Sequence, residues 1–164
     1  MCGAERIYAE GNGKLEGYPL YTAVYRMTGT ARSVEEKTAS LFPVTRETVG
    51  QWRSYYNEAM RSVDNAGTLE SREEGKIVDS GSAYFVHRDG EVLGIFWLEE
   101  NKLLAVAAVK KGAGETVMHT MMSLLQEETM ELEVASTNHR AIRLYEKLGF
   151  FPTAEIARWY RLFP

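Results

Sequence analysis

Two stretches of the chain carry residue types whose spacing could do chemistry. The first runs from Val106 to Thr116 and reads VAAVKKGAGET. An apolar run gives way to Lys110, Lys111 and Gly112-Ala113-Gly114. A helical pattern then follows, with Val117, Met118, Met121, Met122, Leu124 and Leu125 on one face. Glycines let a backbone approach a bulky anion. The free amides of a helix start, with the positive end of its dipole behind them, can then hold it. A phosphate or pyrophosphate fits such a junction. It is neither a Walker loop nor a G-x-G-x-x-G turn, and alone it also fits a plain glycine turn with solvated lysines. The second stretch, residues 132–150, reads LEVASTNHRAIRLYEKLGF. It offers a carboxylate (Glu133), an amide (Asn138) and a phenol (Tyr145). Asn138 and Tyr145 are seven residues apart, about two helical turns, so both can face one cleft.

Each stretch needs a strand that delivers it and a helix that follows. Residues 102–109 (KLLAVAAV) read as a strand covered on both faces. Residues 130–134 read as another strand and 138–148 as a helix ended by Gly149. Ahead of them, 83–87 and 91–99 flank Arg88-Asp89-Gly90, a hairpin signal. Val49, Trp52, Tyr56, Ala59, Met60 and Val63 recur at helical spacing. Thr45 is the expected cap of that helix and Asn65-Ala66-Gly67 its end. Thr68 is the expected cap of a second, short helix to about Val78. Residues 41–44 and 156–163 read as strands. In residues 1–40, turns are expected at Asn12-Gly13 and Glu16-Gly17, and a strand over 18–27. Polar residues 29–40 read as loop or short helix. That segment is expected to be an N-terminal extension, an extra edge strand plus a linker. The pattern is that of one mixed α/β domain.

The 164 residues are 45% apolar and 26% charged, the balance of an ordinary globular protein. The longest apolar runs fall far short of the ~20 residues a membrane span needs. With 19 basic and 23 acidic residues, net charge −4, there is no electrostatic reason to expect nucleic-acid binding. The single cysteine, Cys2, excludes an internal disulfide and suits a reducing compartment, here the cytoplasm. No apolar segment follows Met1-Cys2-Gly3 as a secretory leader would require. His87, His119 and His139 lack metal-ligand spacing, so no metal is expected. Met118, Met121, Met122 and Met130 read as core.

Asn138, Ala141 and Leu144-Tyr145-Glu146-Lys147-Leu148-Gly149-Phe150 resemble the N-x-x-A-x-x-L-Y-E-K-L-G-F signature of the GNAT acyltransferases, the Gcn5-related N-acetyltransferases. Val106, Ala108, Lys111, Gly112, Gly114 and Thr116 then resemble that family's V-x-P-x-x-R-G-x-G-x-G/A loop. The resemblance covers residues 41–164. It implies an acyl-CoA N-acyltransferase fold: a mixed, mostly antiparallel twisted sheet flanked by helices on both faces. It further implies acetyl-CoA as cosubstrate and direct transfer in a ternary complex. The acceptor would be a primary amine on a small molecule, a peptide N-terminus or a lysine, and the enzyme a monomer or homodimer.

The same resemblance implies a site. The pantetheine arm would lie along Leu104, Ala105 and Val106, on a strand edge splayed from the strand of Glu133. The pyrophosphate would sit on the amides of Lys111, Gly112, Ala113, Gly114, Glu115 and Thr116, and Asn138 would contact the pantetheine. A backbone N–H near Val106 could steady the carbonyl oxygen. Tyr145 takes the general-acid place. Glu133 matches a glutamate of ribosomal-protein N-terminal acetyltransferases and is the leading base, with Glu99 or a water chain as rivals. One of Trp52, Tyr55 and Tyr56 would line the acceptor pocket; core packing is the other reading of these rings. Lys111, Ala108 and Thr116 depart from the loop's usual Arg or Gln, Pro and small residue. They motivate the alternative, a non-catalytic module of this fold that senses CoA or binds a partner.

Overall fold

Asp89 and Gly90 both take left-handed backbone angles, with φ of 52° and 80°. That is the turn whose twist matches two antiparallel strands, and it joins β4 (Ala83–Arg88) to β5 (Glu91–Glu99). The computed structural model describes residues 8–11, 14–30, 39–64, 66–125 and 129–162. The expectations for Cys2, Asn12-Gly13, Asn65 and residues 31–38 lie outside them. Before the hairpin come β1 (Tyr8–Gly11), β2 (Leu20–Thr30), β3 (Ser40–Pro43), α1 (Val49–Met60), a 3₁₀ turn (Ser71–Glu73) and α2 (Glu74–Asp79). After it come β6 (Lys102–Ala108), α3 (Gly114–Met122), β7 (Thr129–Ala135), α4 (His139–Lys147) and β8 (Phe151–Arg161).

The strands form one eight-stranded sheet in the order β1-β8-β2-β7-β6-β5-β4-β3. Every neighbouring pair is antiparallel except β6 and β7. On one face, Val117, Met118, Met121 and Met122 of α3 and Tyr145 of α4 bury against Met27, Phe96, Leu132 and Phe150. On the other, Val49 and Trp52 of α1 and Ile77 of α2 bury against Phe85, Ile95, Trp97 and Ala105. The middle strands are therefore covered twice, which is why β5 and β6 read as apolar runs. Gly94 in β5 admits this closeness. A Cβ there would stand 2.5 Å from the Ala107 carbonyl oxygen and 2.5 Å from a Val117 methyl. Trp52 is fully buried, and its Nε1 donates to the Tyr84 carbonyl at 3.1 Å.

Three expectations are corrected. The strand expected at the edge is β2, and it lies inside the sheet, bonded to β7 and β8. Its buried Ala23, Met27 and Gly29 demand neighbours on both sides. Neither threonine caps as expected. The Thr45 carbonyl accepts from the amides of Thr48 and Val49, so residues 45–48 form a turn and α1 begins at Val49. Asn57 exchanges hydrogen bonds with the backbone of Leu69 (2.8 and 3.0 Å), which holds 68–70 out of the helix. The 3₁₀ turn then starts at Ser71, where the Glu70 amide donates to Glu73 Oε2 at 2.8 Å.

Two strands exceed the sequence expectation. β1 had no signal. β8 begins five residues early, at Phe151, because Pro152 and exposed neighbours mask its first half. Pro152 is tolerated because, among the described residues, β1 pairs only with 158–161, leaving that side of β8 an edge.

Candidate active site

Parallel pairing of β6 and β7 lasts two positions, Lys102 with Glu131 and Leu103 with Leu132. Beyond them the strands part. A bulge reinforces the divergence. Trp97 pairs with Ala105 and Leu98 with Leu103, so Leu104 has no residue opposite it on β5. Past Leu103, the β7-facing edge of β6 has no strand partner. Its alternate N–H and C=O groups are open to an extended ligand.

A cavity of about 580 Å³ fills this gap and is lined by Leu104, Ala105, Val106 and the β7 residues Leu132, Glu133 and Val134. Its volume lies within the ~300–1,000 Å³ of small-molecule sites. Gly112, Gly114 and Glu115 close one end, and Asn138, Arg140, Ala141, Leu144 and Tyr145 of α4 form a wall. Tyr56, Ala59, Met60 and Val63, from α1 and the turn after it, form the far end. Tyr21 of β2 donates to Asp64 Oδ1 and so ties that turn to the sheet.

Of the residues singled out in the sequence, Leu104, Ala105, Val106, Gly112, Gly114, Glu115, Glu133, Asn138 and Tyr145 line this one cavity. Lys111, Ala113 and Thr116 do not. Lys111 is exposed, Ala113 packs against the core, and Thr116 lies one residue further into α3. Glu99 is also absent from the lining. It pairs with Lys102 at the turn of the β5–β6 hairpin. Of the three rings on α1, Tyr56 is the one that lines it, stacked on Trp52 with centroids 6.0 Å apart. Burial raises the Tyr56 phenol above its ordinary value, and the Glu73 charge adds to this.

The loop has the geometry of an anion cradle. Gly112 sits at φ +85°, a conformation L side chains resist, and opens into free space. Gly114 opens α3 against α4, since a Cβ there would stand 3.2 Å from Leu144 Cδ2. The amides of the first turn of α3 have no acceptors within the helix. Glu115 is turned into an ion pair with Lys147 (2.6 Å), whose hydrogen bond holds its carboxyl below the usual range. Lys110 is engaged with Glu91.

Asn138 is the N-cap of α4, its Oδ1 accepting from the Ala141 amide at 3.2 Å. The cap uses the oxygen and leaves the amide nitrogen to donate. Tyr145 is buried among Phe150 and the α3 methionines, and burial pushes its phenol up to about 12. Glu133 lies on β7 just past the last pairing position, with Oε1 2.7 Å from Lys102 Nζ. Sequence reasoning missed Arg140, Leu144 and the residues after Tyr56; only the helical period after Asn138 hinted at the first two. Among the described residues no cluster of His, Cys, Asp or Glu could hold a metal, and no helix is long and apolar enough to cross a membrane.

No curated protein matches the chain significantly. Solved structures do. An acetyltransferase from the GNAT family of Colwellia psychrerythraea is 11% identical with a TM-score of 0.63, covering 87% of this chain and 57% of that one. Saccharomyces cerevisiae N-myristoyltransferase with bound myristoyl-CoA is 12% identical with a TM-score of 0.59, covering 94% and 51%. Spermidine N-acetyltransferase of Vibrio cholerae, in complex with CoA and spermine, is 18% identical with a TM-score of 0.52, covering 77% and 94%. The chain spans little more than half the length of the first two. At these identities the likeness is one of fold. The sequence model described as the acetyltransferase (GNAT) family matches residues 33–150, from before β3 to the end of the loop after α4. With that match over most of its length, and with β6 and β7 parted above a glycine loop, the chain belongs to the GNAT acetyltransferase family.

Proposed function

We propose that the chain is an acetyl-CoA-dependent N-acetyltransferase that moves an acetyl group to a primary amine by direct attack. The observation that carries this reading is the parting of β6 and β7 into a cavity that also gathers the glycine loop, Asn138 and Tyr145. The donor would supply an activated thioester. The loop and first-turn amides would face its pyrophosphate, and the open edge of β6 would pair with the pantetheine amides.

The acceptor would approach from the α1 end, between Tyr56 and Met60. Its amine must be neutral to attack, yet a lysine amine has a pKa of ~10.4 and an α-amine ~7.7–8.0. Glu133 Oε2, not engaged by Lys102, would take the proton as the carbon–nitrogen bond forms. Negative charge developing on the carbonyl oxygen would meet a β6 N–H near Val106. As the carbon–sulfur bond breaks, the Tyr145 hydroxyl would donate to the leaving sulfur. A phenol at about 12 is a weaker acid than a thiol near ~8.5. Its contribution is then a hydrogen bond to the thiolate, with solvent completing the protonation.

The test is thermal unfolding with acetyl-CoA, using AMP as control. Donor at about 100 times its Kd adds ~2.7 kcal/mol, a rise of roughly 5–11 °C for a chain of this size. That rise with acetyl-CoA and not AMP justifies a screen of amine acceptors. No rise at millimolar donor overturns the reading in favour of a non-catalytic module of the same fold.

A further inference from the structure

Arg140 lines the cavity from the first turn of α4, exposed and without an ion-pair partner among the described residues. We infer that Arg140, and not a lysine of the loop, supplies the side-chain charge that holds the donor's pyrophosphate; the inference rests on the acyltransferase reading. The charges around the cavity carry the argument. Three carboxylates line it, and each is already engaged: Glu58 with Arg61, Glu115 with Lys147, Glu133 with Lys102. The loop itself brings no free cation inward. Lys110 is engaged with Glu91, and Lys111, at the place of the family's usual Arg or Gln, is outside the lining. Among the described residues Arg140 is thus the one lining cation, and no described carboxylate is ion-paired with it.

The geometry sets it beside the loop. Arg140 and Leu144 are four residues apart on α4, so they share a face about 6 Å apart along the axis. Leu144 is the residue that meets Gly114, with Cδ2 3.2 Å from where a Cβ would be. Arg140 therefore lies one turn of α4 from the residue that meets the start of α3, on the wall of the same cavity. A planar fork of donors suits two phosphate oxygens better than an ammonium does. The anion would be gripped from both sides, by backbone amides of one helix and by the arginine of the next.

Isothermal titration of the full chain with acetyl-CoA, dephospho-acetyl-CoA and S-acetyl-pantetheine tests this. Arg140→Gln should weaken both nucleotide-bearing donors about tenfold or more, as loss of a charge-assisted contact does. S-acetyl-pantetheine, which has no pyrophosphate, should bind wild type and variant alike. Arg140→Lys should recover part of the loss. An unchanged affinity for acetyl-CoA overturns the inference, as does an equal loss with S-acetyl-pantetheine. A loss confined to acetyl-CoA and absent with dephospho-acetyl-CoA moves the contact to the 3′-phosphate and also overturns it. So does a loss from Lys111→Gln as large as that from Arg140→Gln. If wild type itself binds no acetyl-CoA, the acyltransferase reading has failed and the inference falls with it.

Discussion

Lys102 Nζ lies 2.7 Å from Glu133 Oε1, one position beyond the last residue at which β7 still pairs with β6. The ion pair thus clasps the two strands where they diverge, and it engages one of the two oxygens of Glu133, a residue that lines the cavity.

Glu133→Gln should lower kcat about 10²-fold, the lower end of what a general base contributes, with the KM for acetyl-CoA little changed. Lys102→Met should be mild for stability. An exposed pair is worth ~0–1 kcal/mol, so the Tm should fall by less than about 4 °C. Steady-state kinetics and a melting curve check both. A Glu133→Gln enzyme as fast as wild type removes the base from Glu133.

Tyr145→Phe should lower kcat about 10- to 100-fold, because only the hydroxyl is lost and the ring still packs 6.1 Å from Phe150. The phenol, raised from 10 to about 12 by burial, favours its protonated form in the folded state. Its contribution to stability is complete below pH 10 and is lost as pH rises towards 12. Absorbance titration of wild type against the variant should therefore show one phenol that ionises well above the rest. A kcat within twofold of wild type would remove Tyr145 from the chemistry.

Gly112→Ala and Gly94→Ala should separate binding from folding. At Gly112 an added Cβ meets nothing, but φ is +85°, so the cost is backbone strain of ~1–2 kcal/mol in the cradle. Acetyl-CoA affinity should fall with it. At Gly94 the Cβ would strike the Ala107 carbonyl and Val117 at 2.5 Å, an overpacking worth ~1–3 kcal/mol or more. Urea unfolding with and without acetyl-CoA distinguishes them. Equal loss of affinity in both variants would contradict the cradle.

The Glu115–Lys147 pair should be visible in acid. Lys147 depresses the folded-state pKa of Glu115 below 4.5, so its stabilising effect is present above that value and is lost as pH falls through the depressed one. The Tm difference between wild type and Glu115→Gln should be present at pH 8, where Lys147 alone is charged beside it, gain from His119 Nε2 (3.7 Å from Glu115 Oε1) once that imidazole is protonated, and shrink below about pH 4.5. Because both groups are exposed, it should be small and shrink further in high salt. A difference absent at pH 8, or one that grows below about pH 4.5, would show that Glu115 is not held by Lys147.

What could be read from the sequence is what is local. Asp89-Gly90 determines a hairpin within six residues, and Asn138 to Gly149 carries its own cap and stop. The parting of β6 from β7 was available only through the family resemblance, since no residue of 104–108 declares that its neighbour strand leaves. Glu99 and Glu133 are equivalent as letters at strand ends; they differ only once β6 and β7 part, because that cavity is lined by Glu133 and not by Glu99. Arg140 drew no notice because which cation lacks a partner depends on every other side chain around the cavity. The interior place of β2 was hidden for the same reason, since its partners lie about a hundred residues or more away.

That placement has a consequence for how the molecule is made. Three strands lie outside the matched family span, β1, β2 and β8; β2 and β8 are hydrogen-bonded to each other, and β2 also borders β7 along Val24 to Thr30. A ribosome delivers β2 well before β7 and β8. The sheet's second half must therefore wait until those strands are made, with a long loop to close before any contact offsets it. Until then β2 is an unpaired edge, and in a chain lacking it β7 and β8 would be two such edges. A fragment trimmed to the matched span loses β8 as well and leaves β7 as an unpaired edge, so it should aggregate, although it keeps the glycine loop, Asn138 and Tyr145.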